Sequence, residues 1–328
     1  RIKILIIRFS SIGDIVLTTP IVRALKNCVK NVELHYLTKP ENETLLKNNK
    51  YIDKLHLLKN DLSETTDELS KEEFGYVVDL QKNLRSLRIK KALGVRASSF
   101  PKLNIRKWLF VNLKLQCMPA IHIVDRYFEA VRDLEVVNDG KGLDYFLQEA
   151  DFVDCETLPA GFQSGYVACV VGSKHATKQM PTDLMADLCR KIQKPIILLG
   201  GKGDRDKAAI IGQQVGAKVF NACGNYNINQ SAYLVKNALG IITPDTGLMH
   251  IAAAFDKNII AVWGNTVPQF GMYPYRAANA KGKTYNFEVK NLHCRPCSKL
   301  GYAECPKKHF RCMLGQDTDK IAEIANAW

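Results

Sequence analysis

Short apolar runs alternate with longer amphipathic stretches along most of this chain, and that pattern predicts alternating strands and helices. In the first half, apolar runs predict strands at residues 2–7, 32–37, 54–58, 75–79 and 95–99. Helical spacing of apolar residues predicts helices at residues 14–28, 41–49, 81–91 and 122–135. Strands that alternate with helices in this way form parallel sheets with helices on both faces.

The pattern becomes irregular from about residue 150 to 164 and then restarts. Further strands are predicted at 166–171, 195–199, 218–220, 239–242 and 258–263. Further helices are predicted after Pro181 and at 205–215, 229–237 and 319–328. We therefore expect an α/β protein with two Rossmann-like domains, residues 1–155 and 156–316, followed by a C-terminal helix at 317–328.

Composition fits this prediction and adds a strong positive charge. With 46% apolar residues in 328, the chain is long enough for two domains with substantial cores. No run of 18 apolar residues and no signal-peptide layout is seen, so we expect a cytoplasmic protein. The net charge is +13, and ten Lys or Arg residues but no acidic residue lie between Leu80 and Val124. Because a solvated face usually mixes signs, this basic stretch indicates an anionic partner.

One motif follows a predicted buried strand at 239–242. Residues 243–247, Thr-Pro-Asp-Thr-Gly, lead into a helix of small residues from Leu248. Free N–H groups and the positive end of the dipole make such a helix start suitable for anions. Asp245 and His250 supply side chains that can contact a sugar or ribose. The alternative is an ordinary helix cap, since Asp and Thr are common caps.

A second motif follows the first strand. Residues 8–20 read Arg-Phe-Ser-Ser-Ile-Gly-Asp-Ile-Val-Leu-Thr-Thr-Pro, and they place polar residues at the carboxyl end of that strand. Open α/β sheets bind ligands at this edge. Asp14 is a candidate general base there, and the alternative is that it caps the helix that follows.

Together, in this order, the two motifs resemble those of glycosyltransferase family nine, the ADP-heptose:lipopolysaccharide heptosyltransferase family. The resemblance implies a GT-B fold, in which two Rossmann-like domains face each other across a cleft. It implies that the first domain binds the acceptor, that the second binds the nucleotide sugar, and that the last helix packs back toward the first domain. It also assigns the base role to Asp14.

The resemblance extends to Thr177-Lys178-Gln179-Met180-Pro181, which matches the Thr-Lys-x-x-Pro pattern of the family. A positioned cation stabilises the charge that develops on a leaving diphosphate, so Lys178 is the second candidate catalytic residue, with Lys174 as an alternative. We expect the donor to contact Thr177, Lys178, Gly200, Gly201, Asp204, Asp245, Thr246, Gly247 and His250. We expect the acceptor to contact Ser10, Ser11, Gly13, Arg85, Arg88 and Arg106.

Two positions depart from the family pattern. The family often has a Glu that contacts the ribose after the 200–203 glycine cluster, where this chain has Asp204 and Asp206, whose side chains are one carbon shorter. Asn265 stands where the family frequently has Pro.

Ten cysteines are present, and four of them cluster late, at Cys294, Cys297, Cys305 and Cys312. Structural zinc sites usually have two closely spaced Cys pairs, whereas only the first pair here is close. We expect free thiols that pack a loop, with zinc as the alternative, and no cofactor for the reaction.

These features predict an inverting, metal-independent glycosyltransferase that moves heptose from ADP-heptose to the inner core of lipopolysaccharide. The expected partners are the nucleotide sugar, an anionic lipopolysaccharide acceptor and the inner face of the cytoplasmic membrane, where the enzyme would be peripheral. Alternatives are a related enzyme with another nucleotide-sugar donor and a nucleotide-sugar epimerase, which needs no acceptor. Few aromatic residues accompany the basic stretch, which argues against nucleic acid.

Overall fold

The computed structural model describes residues 2–328, with the backbone alone at Cys155. Its strands are β1 (Ile2–Ile7), β2 (Val32–Thr38), β3 (Lys54–Leu57), β4 (Tyr76–Asp79), β5 (Ala97–Ser99), β6 (Val167–Val170), β7 (Ile196–Leu199), β8 (Val219–Asn221), β9 (Gly240–Pro244), β10 (Asn258–Trp263) and β11 (Thr284–Glu288). Its α-helices are α1 (Ile12–Val16), α2 (Thr19–Cys28), α3 (Glu43–Leu46), α4 (Leu62–Ser70), α5 (Leu84–Leu93), α6 (Asn104–Leu113), α7 (Ile123–Phe128), α8 (Thr182–Lys191), α9 (Arg205–Val215), α10 (Ile228–Asn237), α11 (Gly247–Ala254), α12 (Arg311–Leu314) and α13 (Thr318–Asn326). Short 3-10 turns lie at Pro40–Asn42, Glu129–Leu134, Glu149–Asp151, Cys155–Thr157, Phe162–Ser164, Ala176–Lys178, Lys202–Asp204 and Pro268–Phe270.

The first sheet has the strand order β3-β2-β1-β4-β5, and its strand pairs are parallel. Residues Ile4–Ile7 of β1 are fully buried, as a central strand covered on both faces must be. Leu37 of β2, Val77 of β4 and Ile89 of α5 pack with β1 in one apolar cluster.

The second sheet has the order β11-β10-β9-β6-β7-β8, again with parallel pairs. In each sheet the order in which the chain adds strands reverses beside the first strand. This reversal is the switch point of a Rossmann-like sheet. It lies between β1 and β4 in the first sheet and between β6 and β9 in the second. The predicted fold class, two parallel sheets covered by helices, is confirmed.

The chain forms two compact units whose boundaries differ from the predicted ones. The first unit comprises the residues up to Lys102, Ile121–Phe146 and Tyr275–Ala278. The second comprises Leu103–Ala120, Leu147–Pro274 and Asn279–Trp328. The sequence predicts one boundary at 155/156, because the composition becomes irregular there. A short segment that belongs to a different unit from its flanking residues has no such signal in the local sequence.

The C-terminal helix α13 corrects a second expectation. Instead of returning to the first domain, it belongs to the second unit. Ile321, Ala322 and Ala325 are buried in the same apolar cluster as Met185 and Leu188 of α8. Three buried residues at helical spacing give α13 an apolar stripe, and α8 provides the matching surface.

The sequence analysis missed three elements, α6, the four-residue helix α12 and β11, and α4 forms where the sequence indicates a surface loop or short helix at residues 61–73. None of the ten residues of α6 is buried, so its apolar residues do not trace a core-facing stripe. β11 is an edge strand of the second sheet and is only partly buried. Among residues 2–328, no helix has both the length and the apolar character that crossing a membrane requires.

We predict that Ile321→Ala lowers the free energy of unfolding by about 2–5 kcal/mol, because it leaves a cavity between α13 and α8. Urea unfolding followed by circular dichroism measures the loss. Glu323→Ala on the exposed face of the same helix is the control, with an expected change below about 0.5 kcal/mol. Equal stability of the two variants would show that α13 is not part of the core of the second unit.

Candidate functional site

At the switch point of the first sheet, Asp14 lies in the first turn of α1. The Asp14 carboxylate forms an ion pair with Arg8, with Nη2 and Oδ1 2.7 Å apart. The backbone N–H and the hydroxyl of Ser11 both donate to Oδ2, at 3.1 and 2.8 Å. The Asp14 side chain is 20% exposed. Asp14 therefore caps the start of α1 and still offers a carboxylate to solvent, so the two interpretations of this residue coexist.

Arg8 holds Asp14 in place, and the sequence analysis did not assign it a role. Its Nη1 donates to the Leu80 carbonyl after β4 at 2.5 Å, and its Nε donates to the Ser10 carbonyl at 2.8 Å. Burial by itself would lower the pKa of the Arg8 guanidinium, but Asp14 and the Tyr127 and Tyr36 hydroxyls outweigh burial, and the pKa is raised. Arg8 is thus permanently charged. Its side chain spans the switch point from the end of β1 to the end of β4.

The other predicted acceptor residues of this loop lie beside Asp14. Ser11 is exposed, but its hydroxyl is committed to Asp14, and Ser10 offers its carbonyl to Arg8. Gly13 is buried inside the short helix. The residues of this loop therefore hold the Asp14 carboxylate in one position.

At the switch point of the second sheet, an ion pair joins two loops. Lys178, which follows β6, places its Nζ 2.6 Å from Oδ2 of Asp245, which follows β9. Both side chains are about 15% exposed. Thr266, which follows β10, donates its hydroxyl to the same Oδ2 at 3.0 Å. Three neighbouring strands thus bring a cation, a carboxylate and a hydroxyl together at their carboxyl ends. Lys178 and Asp245 are among the candidate donor residues of the sequence analysis, and Thr266 is not.

Helix α11 begins directly after this ion pair. Thr246 is its N-cap residue and Gly247 is its first helical residue. The eight-residue helix directs its free N–H groups and the positive end of its dipole toward the same edge of the sheet. His250 lies within this helix and is 2% exposed. Lys178 and the start of α11 together give this edge a local positive potential that suits an anion.

Thr177 has a different position from the one expected of a phosphate ligand. Its hydroxyl accepts a hydrogen bond from the Tyr302 N–H at 2.8 Å and donates to the Tyr302 carbonyl at 3.2 Å. The residue is 2% exposed. Thr177 therefore fastens segment 298–302 to the loop that carries Lys178.

Asp204 accepts a hydrogen bond from the backbone of the 200–203 glycine cluster, which follows β7. The Gly201 N–H donates to Asp204 Oδ2 at 2.8 Å. A Cβ on Gly172 would lie 2.0 Å from that oxygen and one on Gly200 would lie 2.9 Å from it, so both glycines are required for the carboxylate to lie where it does. In this structure the Asp204 carboxylate caps the turn at residues 202–204.

Asn265 lies between Gly264 and Thr266, in the loop after β10. It is 1% exposed, and neither its amide nitrogen nor its carbonyl oxygen has a hydrogen-bond partner among the described residues. Buried amides are nearly always satisfied, so an unsatisfied one beside a site indicates a missing polar partner.

The basic stretch between Leu80 and Val124 contributes residues to both units, and some of its charges are bonded within the first unit. Lys90 pairs with the buried Asp79 at 2.9 Å, and Lys82 donates to the Phe100 carbonyl at 2.9 Å. Arg85 and Arg88 are exposed on α5 of the first unit. Arg106 is exposed on α6, which belongs to the second unit. The three predicted acceptor arginines are thus divided between the units.

Helix α6 and segment 298–302 line a cavity of about 630 Å³ in the second unit that is widely open to solvent. Its lining residues were not predicted from the sequence, and they are Asn104, Ile105, Lys107, Trp108, Val111, Asn112, Ser298, Lys299 and Tyr302. The cavity borders the Lys178 loop, because Tyr302 is the residue to which Thr177 is bonded.

The late cysteines lie near one another in the second unit. Burial raises the pKa of the Cys312 thiol to about 11, and the neighbouring Cys297, Cys305 and Cys294 add to this shift. Burial also raises the pKa of Cys297. Free thiols that pack the loop stay our prediction for this cluster, with zinc as the alternative.

Comparison with known proteins agrees with this geometry. The model of glycosyltransferase family 9 (heptosyltransferase) matches residues 64–302, well over half of the chain. Lipopolysaccharide heptosyltransferase 1 of Campylobacter coli is 24% identical over 292 residues, which are 80% of this chain and 84% of the relative.

Two solved structures share the fold. The glycosyl transferase family 9 protein from Veillonella parvula has a TM-score of 0.76 at 18% identity, over 99% of this chain and 96% of the other. The E. coli ADP-heptose lps heptosyltransferase II has a TM-score of 0.75 at 16% identity, over 99% and 98%. The predicted GT-B type fold is confirmed. The chain belongs to glycosyltransferase family 9, the heptosyltransferase family, and is a glycosyltransferase.

Proposed function

We propose that this glycosyltransferase is an inverting enzyme that transfers heptose from ADP-heptose to the inner core of lipopolysaccharide without a catalytic metal. The observation that carries the proposal is the Lys178–Asp245 ion pair, 2.6 Å long, at the switch point of the second sheet beside the start of α11. A cation beside a helix N-terminus suits a nucleotide diphosphate. The names of the relatives above support ADP-heptose and lipopolysaccharide as the substrates.

In the donor half of the reaction, the bond between the anomeric carbon and the β-phosphate oxygen breaks and ADP leaves. Negative charge grows on that oxygen as the bond lengthens. The Lys178 ammonium and the N–H groups at the start of α11 stabilise this charge. Asp245 and Thr266 hold the lysine in place, and Asn265 offers an unsatisfied amide in the same loop.

In the acceptor half, a hydroxyl of the acceptor attacks the anomeric carbon from the face opposite the leaving ADP. The new carbon–oxygen bond forms with inverted configuration, and the hydroxyl proton passes to the Asp14 carboxylate. Arg8 and Ser11 fix that carboxylate, and its exposed fraction leaves room for the hydroxyl.

Helix α6 supports the proposal that the enzyme is peripheral at the cytoplasmic face of the membrane. Ile105 is 77% exposed and Trp108 is 56% exposed, and Arg106 and Lys107 lie between them in sequence. Leu113 and Leu115 are also exposed. Apolar and basic residues that share an exposed helix bind to the boundary of anionic lipid surfaces.

For the donor, we predict that ADP at saturating concentration raises the melting temperature, whereas UDP, GDP and CDP do not. A ligand at about 100 times its Kd stabilises the fold by about 2.7 kcal/mol. Lys178→Ala should weaken ADP binding, and Lys174→Ala, which removes an exposed neighbouring lysine, should leave it unchanged. Selective stabilisation by UDP or GDP would retain the enzyme class and exclude ADP-heptose.

For the acceptor step, we predict that Asp14→Asn slows heptose transfer by about 10²–10⁴-fold while ADP still stabilises the protein. Asn is chosen because its amide oxygen can still accept hydrogen bonds from Ser11 or Arg8, whereas Ala would leave both donors without that acceptor. Asp133→Asn, at an exposed ion pair, is the control. Transfer at a normal rate by the Asp14 variant would show that another group takes the proton.

For the membrane, we predict that the double variant Ile105→Ser, Trp108→Ser binds anionic phospholipid vesicles at least about tenfold more weakly, since each burial contributes about 1.5–3 kcal/mol. Co-sedimentation measures binding, and added salt should weaken it. Ile210→Ser removes an exposed apolar residue from α9 and serves as the control. Equal binding by the double variant and the control would exclude α6 as the contact.

A further inference from the structure

One face of the first sheet carries a row of polar side chains far from the switch point. In β2, Glu33 and His35 are two residues apart, and in β3, Lys54 and His56 are two residues apart. Successive side chains of a strand point to opposite faces, so each pair shares a face. The register places His35 opposite Lys54 and Leu37 opposite His56, which brings the four side chains to the same face. The proposed transfer reaction uses none of them.

Two imidazoles and a carboxylate converge at this face. His35 Nδ1 lies 2.8 Å from His56 Nε2. The carboxylate is that of Glu72, which follows α4, and one ligand atom from each of the three residues lies within 4.8 Å of the others. Among the side chains that the structure describes, this is the group of His, Cys, Asp and Glu residues that meets this spacing. The late cysteines do not meet it.

The surroundings of His35 are those of a metal ligand. Its other ring nitrogen, Nε2, lies 3.1 Å from the Glu33 carboxylate. A carboxylate can only accept, so Nε2 carries the proton and Nδ1 keeps its lone pair. Histidines that bind metals usually donate their second nitrogen to a carboxylate in this way. Phe74 packs edge-on against the His35 ring at 5.0 Å and fixes its plane.

Hydrogen bonds fix the protons of this group. Because His35 Nδ1 keeps its lone pair, His56 Nε2 donates to it in the 2.8 Å contact. Binding one ion through both nitrogens therefore moves the His56 proton from Nε2 to Nδ1, which is a change of tautomer. The Glu72 carboxylate accepts hydrogen bonds from Lys3 and Lys54.

We propose that His35 Nδ1, His56 Nε2 and the Glu72 carboxylate bind one divalent transition-metal ion. Two imidazoles and one carboxylate suit zinc, with water in the remaining position. The ion would join β2, the edge strand β3 and the turn after α4, and its binding would therefore stabilise the first unit. Lys54 and Lys3, which now contact Glu72, have partly exposed side chains that can turn to solvent. The site lies wholly in the first unit and does not depend on the proposed transfer reaction.

The test uses the full-length protein after treatment with a chelator and desalting. Zinc is titrated by calorimetry, and cobalt is titrated in parallel by absorption spectroscopy. We expect one strong site in the unaltered protein, with cobalt bands of nitrogen and oxygen ligation and no thiolate-to-cobalt charge-transfer band. His56→Gln and Glu72→Gln should each weaken binding at least tenfold, since even outer-sphere partners of a ligand change affinity by about 10–100-fold. Bound zinc should also raise the melting temperature.

Glu68→Gln is the matched control, because Glu68 lies on α4 near His56 but pairs with Lys59 at the surface. It should bind zinc as the unaltered protein does. Circular dichroism of the metal-free variants checks that they fold, and Glu72→Gln, at a partly exposed position, decides the matter if His56→Gln does not. Three results would overturn the proposal: no binding at micromolar metal, equal binding by all variants, or a thiolate band that places the metal on the cysteines.

Discussion

Parallel pairing of the strands is the constraint on which both halves of this enzyme depend. In a parallel sheet all carboxyl ends lie at one edge, and the loops of adjacent strands separate only where the strand order reverses. In each sheet a cationic side chain spans that gap, through a hydrogen bond in the first sheet and an ion pair in the second. In the first sheet Arg8 reaches from the end of β1 to the Leu80 carbonyl after β4. In the second, Lys178 after β6 reaches Asp245 after β9.

These two cations have different environments, and the difference matches their proposed roles. Arg8 is almost completely buried and bonded on several sides, so it serves as a fixed support for the Asp14 carboxylate. Lys178 keeps part of its side chain exposed and has one charged partner. A lysine that is held but not enclosed can exchange Asp245 for a phosphate oxygen, as the departure of a nucleotide requires.

Most of the fold could be predicted from local sequence because apolar periodicity and strand-end loops are local properties. The loops that carry Asp14, Lys178 and Asp245 were found in this way, and the family resemblance assigned their roles. The position of α13 was wrong because it was taken from the general habit of the fold, whereas its partner α8 lies more than a hundred residues away in sequence. Arg8 was missed because a buried arginine has no pattern of its own. Its partner, the Leu80 carbonyl, is visible only once the sheet has formed.

The hydrogen bonds between Thr177 and Tyr302 tie two parts of the second unit together mechanically. Tyr302 lines the cavity beside α6, and Thr177 directly precedes Lys178. A molecule that enters the cavity and displaces segment 298–302 therefore also displaces the backbone of the Lys178 loop. Three hydrogen bonds thus join the wall of the α6 cavity to the loop that carries the ammonium group, so the two are parts of one connected segment of the second unit.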